Sequence, residues 1–551
     1  MANSSDSYFK NREYTNKKFP LHIFVNQVGY LPHSEKRAVI TLPAEDFSVI
    51  DEQGNICFEG KAVHFGIDEC SGDDVYIADF SSLTLSGKYR VRAAGETSLE
   101  FCVGENVLDR TLNAVTKAYY FLRCGCPLEE KYAGKFTHGK CHGERAVLWE
   151  DNSVSLDICG GWHDAGDYGR YVTAAACAVA HLLYAYKMFP EKLKGLSLNI
   201  PESGALPDIL GEVKYELEWL LKMQREDGAV YHKATTQHHA AFVMPENDVN
   251  QMYVLPVSTM ATADFAAVCA LASTVYRDED REFSERLLAA AANTCRWLED
   301  NPEFIGFENP DGCHTGTYGE WTDKDNRFWA WAEMFAATGN EHYHENMKKA
   351  LKEEFPLTAL GYGSVGGFGA LSYLLCGRNC CDKALTEKFT QAFRADAERL
   401  AHISDKCGYG AAMDERSYCW GSNMNLMKRG MVFAIADYLA HSDKYRTYAQ
   451  RQADYLLGVN ATGYSYVTGI GDFCCNYPHL RPAYADGIEK CIPGMVSGGP
   501  NGRPCDPDAI ALVPKGTPPM KCFADDVGCY SLNEITIYWN SPTVFVLAYI
   551  S

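Results

Sequence analysis

A change in hydrophobic period near Asn106 constrains this chain more than any other feature. From Leu21 to about Gly104 the apolar residues come in short alternating runs: His22 to Val28, Arg37 to Leu42, Phe47 to Ile50, Tyr76 to Phe80, Lys88 to Ala93 and Leu99 to Val103. Turn residues such as Glu52-Gln53-Gly54-Asn55 and Ser86-Gly87 separate them, the pattern of a small immunoglobulin-like β-sandwich. Beyond Asn106 the period lengthens to about 3.6. Leu206, Ile209, Leu210, Val213, Leu217, Leu220 and Leu221 recur every three or four residues and form one apolar helical face.

Comparable stretches begin near Leu108, Arg170, Ser258, Asp280, Asn326, Glu341, Val365, Lys383, Ser422, Asp443 and Leu532, so twelve helices are expected. An even dozen, joined by long loops rich in Gly, Pro, Asp and aromatic residues, predicts six helical hairpins closed into an (α/α)6 barrel with function on the loops. The expected organisation is mainly α: a polar arm over 1–20, the sandwich over 21–104 and the barrel over 105–551. No repeat or low-complexity tract suggests a solenoid.

Acidic residues outnumber basic ones by 72 to 51, a net charge of -21 that repels phosphate backbones and anionic lipid. Nucleic acid and membrane are therefore not expected partners, and no uninterrupted apolar run reaches the roughly 18 to 20 residues of a bilayer span. The 22 cysteines are scattered, some, such as Cys177 and Cys269, within apolar helical patterns. Together with a start that lacks the features of a secretory signal, they favour reduced thiols and a cytoplasmic setting. A signal removed from the sequence would instead make the protein a secreted one.

Four groups of residues carry chemistry. Cys124, Cys141, His142 and His163 follow the spacing Cys-x16-Cys-His-x20-His. Thiolate and imidazole suit tetrahedral zinc, and four protein ligands leave no open position, so such a site would be structural; chance proximity is the rival explanation. The loop Gly160-Gly161-Trp162-His163-Asp164-Ala165-Gly166-Asp167-Tyr168-Gly169-Arg170-Tyr171 opens onto an apolar helix. Two aspartates three apart can face the same way and push each other's pKa apart, which suits a general base; the alternatives are helix capping, or His163, Asp164 and Asp167 holding a catalytic divalent ion. Glu534, among apolar and aromatic neighbours in Tyr530 to Asn540, has the surroundings of a proton donor, unless it is a solvated residue on a helix face. In Tyr477-Pro478-His479-Leu480-Arg481-Pro482, His479 and Arg481 can either face a ligand hydroxyl or stabilise the loop.

Taken together these segments resemble glycoside hydrolase family nine, the inverting β-1,4-glucanases that include endoglucanases and cellodextrinases, over nearly the whole chain. The resemblance rests on Phe24-Val25-Asn26-Gln27-Val28-Gly29-Tyr30-Leu31-Pro32 and, most specifically, on Gly161-Trp162-His163-Asp164-Ala165-Gly166-Asp167-Tyr168. Leu206-Pro207-Asp208-Ile209-Leu210, Trp219 to Gln224, Leu457-Gly458-Val459-Asn460, Gly498-Gly499-Pro500-Asn501 and Asn533 to Asn540 follow in the expected order. It implies that Asp167 is the general base, Asp164 the neighbour that holds the attacking water, and Glu534 the general acid. It also implies sugar contacts from His479 and Arg481, a stacking platform in Trp420, and structural zinc on Cys124, Cys141, His142 and His163.

Two departures stand out. Leu480 replaces a second histidine usual in the family's turn. Members that bind calcium commonly show Asp-Glu where Asn326-Arg327 stand, and losing two carboxylates makes calcium at that loop doubtful. The expected activity is cleavage of β-1,4-glucosidic bonds in cello-oligosaccharides and soluble β-glucan. Its rivals are an exo-acting β-glucosidase or glucosaminidase of the same family and a catalytically silent carbohydrate-binding protein, which the joint presence of Asp164, Asp167 and Glu534 disfavours. A chain length filled by one sandwich and one barrel points to soluble rather than crystalline substrate.

Overall fold

The computed structural model describes residues 21–551, and the arm expected over 1–20 lies outside the described residues. Nine strands form the sandwich: β1 Ile23–Phe24, β2 Gly29–Tyr30, β3 Arg37–Ile40, β4 Asp46–Asp51, β5 Ile56–Ile67, β6 Asp74–Asp79, β7 Gly87–Ala93, β8 Glu96–Thr97 and β9 Phe101–Val103. Their ladder runs β1-β3-β6-β5-β4-β7-β9-β2. β5 joins the two layers, its first half pairing with β4 and its second with β6, so that Ile40, Val49, Ala78, Val91 and Phe101 meet in one core. This twelve-residue strand is absent from the sequence reading. Gly60 and Gly66 interrupt its apolar pattern, and Val63, Phe65 and Ile67 face solvent, so no buried face marks it out.

All twelve expected helices are present. Six are buried almost all round and form the inner ring: Val172–Met188, Thr259–Tyr276, Lys324–Thr338, Gly366–Leu375, Ser422–Ala440 and Ile537–Ile550. Each is preceded by an outer helix with a single apolar stripe: Asp109–Phe121, Asp208–Lys222, Arg281–Asp300, Glu341–Ala350, Lys383–Asp405 and Arg446–Leu456. Val172–Met188 packs on Thr259–Tyr276 and on Ile537–Ile550, which closes the ring between its first and last members. Thr259–Tyr276 is long and apolar enough to cross a membrane by composition, yet it lies inside the barrel wall. The fold is thus an (α/α)6 barrel with an N-terminal β-sandwich.

The two units share a polar seam. Asn26 Nδ2 donates to Asp454 Oδ1 (2.7 Å), and the Gln27 side-chain amide donates to the carbonyls of Gly463 (2.8 Å) and Phe473 (3.0 Å). Arg451 grips Glu35 through two 2.7 Å contacts. A second small sheet, with no counterpart in the sequence reading, lies on the barrel: β10 Ala146–Leu148, β11 Ser155–Leu156, β12 Arg170–Tyr171, β13 Lys233–Thr235 and β14 Tyr253–Val254, in the order β11-β10-β14-β13-β12.

Candidate active site

The loop from Gly160 to Tyr171 is tied down along its length. Gly161 has φ +76°, and a Cβ there would meet the Trp219 ring at 2.7 Å, so this turn requires glycine. Its carbonyl accepts from Cys124 N–H and the next amide but one, His163 N–H, donates to Leu122 (both 2.7 Å). The indole of Trp162 donates to Glu212, which also receives the Arg123 guanidinium at 3.0 and 2.9 Å. The loop then leaves as β12, paired with β13. Neither aspartate caps the helix that begins at Val172; Tyr171 holds that position with no side-chain cap. Both carboxyls turn instead into a cleft of about 720 Å³.

Asp164, Asp167, Trp420, His479, Arg481 and Glu534 all line this cleft. They are joined by His239, Tyr171, Tyr318, Tyr362, Tyr530 and Tyr538, which the sequence reading did not single out. Nearly all stand on segments that lead into inner helices, so one end of the ring collects side chains distant in sequence.

Asp167 Oδ2 lies 2.6 Å from His239 Nδ1 and 3.4 Å from the Tyr171 hydroxyl that donates to it. Burial alone would raise its pKa, but the His239 contact and the Arg481 charge hold it well below the ordinary carboxylate range. Asp164 differs. Its Oδ2 accepts from the Tyr318 hydroxyl at 2.5 Å while its buried Oδ1 has no protein partner. Burial and, against the Tyr318 bond, the neighbouring Asp167 charge raise its pKa well above the usual value.

Glu534 is not on a helix face. It stands between the turn Tyr530–Asn533 and the helix Ile537–Ile550, in an extended stretch bridged to His479, with Ile535 bridged to Ser497. Burial first, and then the charges of Asp167 and Asp164, push its carboxyl well above the ordinary range. The turn bearing His479 and Arg481 approaches the aspartate loop so closely that a Cβ on Gly166 would sit 2.1 Å from the His479 carbonyl oxygen. Arg481 spends Nε on the Ala240 carbonyl (2.8 Å) and Nη1 on that of Gly166 (2.7 Å), so it clamps the loops together. His479 Nδ1 is engaged by the Val527 carbonyl at 2.6 Å, and burial lowers its pKa to about 4, which leaves a neutral ring facing the cleft. Trp420 is 44% exposed and packs 5.3 Å, ring to ring, from Tyr530 at the cleft edge.

His239 shows why sequence alone fell short. It follows β13 in Thr236-Gln237-His238-His239, and only the pairing of Tyr171 with Lys233 brings that segment back to the aspartate loop. The doubled histidine in a polar loop was the available signal.

The donor atoms of Cys124, Cys141, His142 and His163 lie within 4.8 Å of one another. His163 Nε2 is 3.2 Å from His142 Nδ1 and 3.9 Å from Cys141 Sγ, close to the edges of about 3.3 to 3.8 Å of a tetrahedron with zinc-like bond lengths. His142 Nε2 meets Asp248 Oδ2 at 3.2 Å, the carboxylate that orients a ligating imidazole. The four residues therefore fit a metal ion. Because the His163 ring turns to this group, it does not join Asp164 and Asp167 in a shared ion site. At the other loop, Asn326 Nδ2 donates to Asp264 (3.0 Å) and Arg327 Nε to Asp323 (2.8 Å). The guanidinium supplies positive charge beside Asp323, while the buried Asp264 Oδ2 and Asn326 Oδ1 have no protein partner.

Carboxyl groups whose pKa values are pushed in opposite directions line one cleft, on the loops at one end of an (α/α)6 barrel, an arrangement suited to acid–base chemistry. Residues 109–547 match the family model described as glycosyl hydrolase family 9, and residues 20–98 that of the cellulase N-terminal ig-like domain. The chain is 45% identical over 544 residues to a cellodextrinase of Butyrivibrio fibrisolvens, covering 96% of this chain and 99% of that protein. A thermostable endoglucanase from Alicyclobacillus acidocaldarius superposes with a TM-score of 0.91 at 34% identity, over 96% of this chain and 99% of that one. A Zn-binding triple mutant of the family 9 endoglucanase J30 gives 0.89 at 33% identity, over 94% and 99%. The chain belongs to glycosyl hydrolase family 9 and is a glycoside hydrolase.

Proposed function

We propose that the enzyme cleaves β-1,4-glucosidic bonds of cello-oligosaccharides and soluble β-glucan with inversion at the anomeric carbon, as the names of its relatives, cellodextrinase and endoglucanase, suggest. The observation that carries this reading is the split between two carboxyls of one cleft, Asp167 pushed towards its ionised form and Glu534 towards its protonated one. In this mechanism Glu534 protonates the leaving oxygen while Asp167 deprotonates a water on the opposite face of the sugar; inversion needs roughly 6.5–9.5 Å between the carboxyls. The unpartnered Asp164 Oδ1 is a ready acceptor for that water. His479, Arg481 and Trp420 are assigned to the sugars beside the scissile bond. Proton NMR of cellotetraose hydrolysis checks the assignment: α-anomer should appear before mutarotation, and initial β-anomer would overturn it.

The Cys124, Cys141, His142 and His163 group is assigned to one structural zinc, which when bound cross-links the aspartate loop to the 122–142 segment. Metal analysis of purified protein should find one zinc per chain. All 22 cysteines are unpaired, which supports a reducing, cytoplasmic setting in which imported oligosaccharides would be the substrate.

A further inference from the structure

Beside the catalytic cleft lies a second hollow of about 360 Å³, between the 356–364 segment and the helices Lys383–Asp405 and Ser422–Ala440. Tyr362, Met424 and Asn425 line both, so the two cavities adjoin. Tyr362 lies 4.9 Å, ring to ring, from Tyr318, whose hydroxyl donates to Asp164. The hollow therefore opens one aromatic ring away from the catalytic carboxyls, and its size falls within the range of small-ligand sites, about 300–1,000 Å³.

Its cations are unequally engaged. Arg399 bonds Asp396 at 2.7 Å, and Asp396 also accepts from Thr358 at 2.8 Å. Arg429 donates to the Ala412 carbonyl and to Ser417 Oγ. Lys428 differs from both. Among the described residues its Nζ has no hydrogen-bond acceptor and no carboxylate within ion-pair distance, and the neighbouring Arg429 charge works against it. The ammonium lies against Gly361, where a Cβ would come within 2.7 Å of it, and burial lowers its pKa from the ordinary lysine value. The ammonium therefore faces the hollow without a counter-ion of its own, since Asp396, the carboxylate in the lining, is taken by Arg399 and Thr358.

We propose that this hollow is a subsite for an acidic sugar unit of the glycan, whose carboxylate binds Lys428 Nζ while neutral units occupy the catalytic cleft. This rests on the glucanase reading above. A neutral sugar would leave the ammonium with hydroxyl acceptors only, whereas a carboxylate supplies both acceptor and charge, the stronger kind of hydrogen bond.

The test compares kcat/KM for cellotetraose with that for two acidic chains of equal length, one ending in a glucuronosyl unit at the non-reducing end and one in an aldonic acid at the reducing end. One of the two should be favoured by at least about tenfold over the neutral chain, and which one tells which end of the substrate enters the hollow. The advantage should shrink at high salt in the native enzyme, and Lys428→Met should bring the acidic-to-neutral ratio to about one while Lys428→Arg keeps most of it. A native enzyme that favours neither acidic chain at low salt would overturn the subsite. So would a folded Lys428→Met protein, judged by its melting curve, that keeps the preference. Failure to hydrolyse any of the three chains would instead overturn the glucanase reading itself.

Discussion

The two sides of the catalytic cleft are held in place by different means. The aspartate loop is built from polar contacts: a histidine on Asp167, a phenol on Asp164, an arginine–glutamate pair behind Trp162, and the four-residue Cys/His group at its root. Glu534 stands on a short extended stretch fixed through its backbone, and its carboxyl is surrounded by burial and like charge. The difference shows how one cleft drives the pKa values of its carboxyls apart. A base is made by supplying a counter-charge, an acid by withholding one.

The largest effects should come from erasing either carboxyl. Asp167→Asn and Glu534→Gln are each expected to lower turnover on cellotetraose by about 10²–10⁴ or more with little change in melting temperature. Under the proposed mechanism Asp167 works ionised, so activity should be lost as pH falls through its depressed pKa. Glu534 works protonated, so activity is lost as pH rises through its elevated one. An alkaline limb at pH values ordinary for a carboxylate would show that Glu534 is not dry enough to play this part.

Next in size is the root of the aspartate loop. Cys141→Ser should remove bound metal and lower the melting temperature by several degrees, with activity lost as the protein unfolds rather than at once on adding a chelator. Unchanged metal content and stability would separate the Cys/His group from the loop it supports. A smaller effect is expected of His239→Ala. Without its partner Asp167 should stay protonated to higher pH, so the acidic limb of the rate profile should move upward and kcat/KM at acidic pH should fall about tenfold, roughly one pKa unit. An unmoved limb would mean that Arg481 and the loop amides hold the charge unaided. The smallest effect is at the rim: Trp420→Ala should raise KM by about tenfold at most and leave kcat nearly unchanged, as expected of a half-exposed stacking surface.

The sequence reveals the helices far better than the short strands, for a physical reason. A helix of ten or more residues either repeats one buried face or runs apolar all round, and all twelve can be read. The strands β10 to β14 are two or three residues long and carry no period, yet they set the register that brings His239 to Asp167. β5 hides for the opposite reason, being long but apolar on its exposed side. At the site, Asp164, Asp167 and Glu534 are legible because their surroundings in sequence are unusual. Tyr318 and Tyr362 are not, since nothing local distinguishes them from other loop tyrosines, and Lys428 lies within a helix whose pattern gives no reason to notice it.

The seam between sandwich and barrel bears on how such proteins can be divided and recombined. Gln27 donates to the carbonyls of Gly463 and Phe473 and accepts from the Phe473 amide at 2.8 Å, so one sandwich side chain pins both ends of a loop that continues into Pro478 and His479. Asn26 likewise reaches Asp454, whose carboxyl burial has already driven up to about 7. A barrel cut free of its sandwich would leave Asp454 without its amide and a cleft-facing loop without its brace. A barrel that stands alone would therefore need compensating changes at Asp454 and in the 463–473 loop.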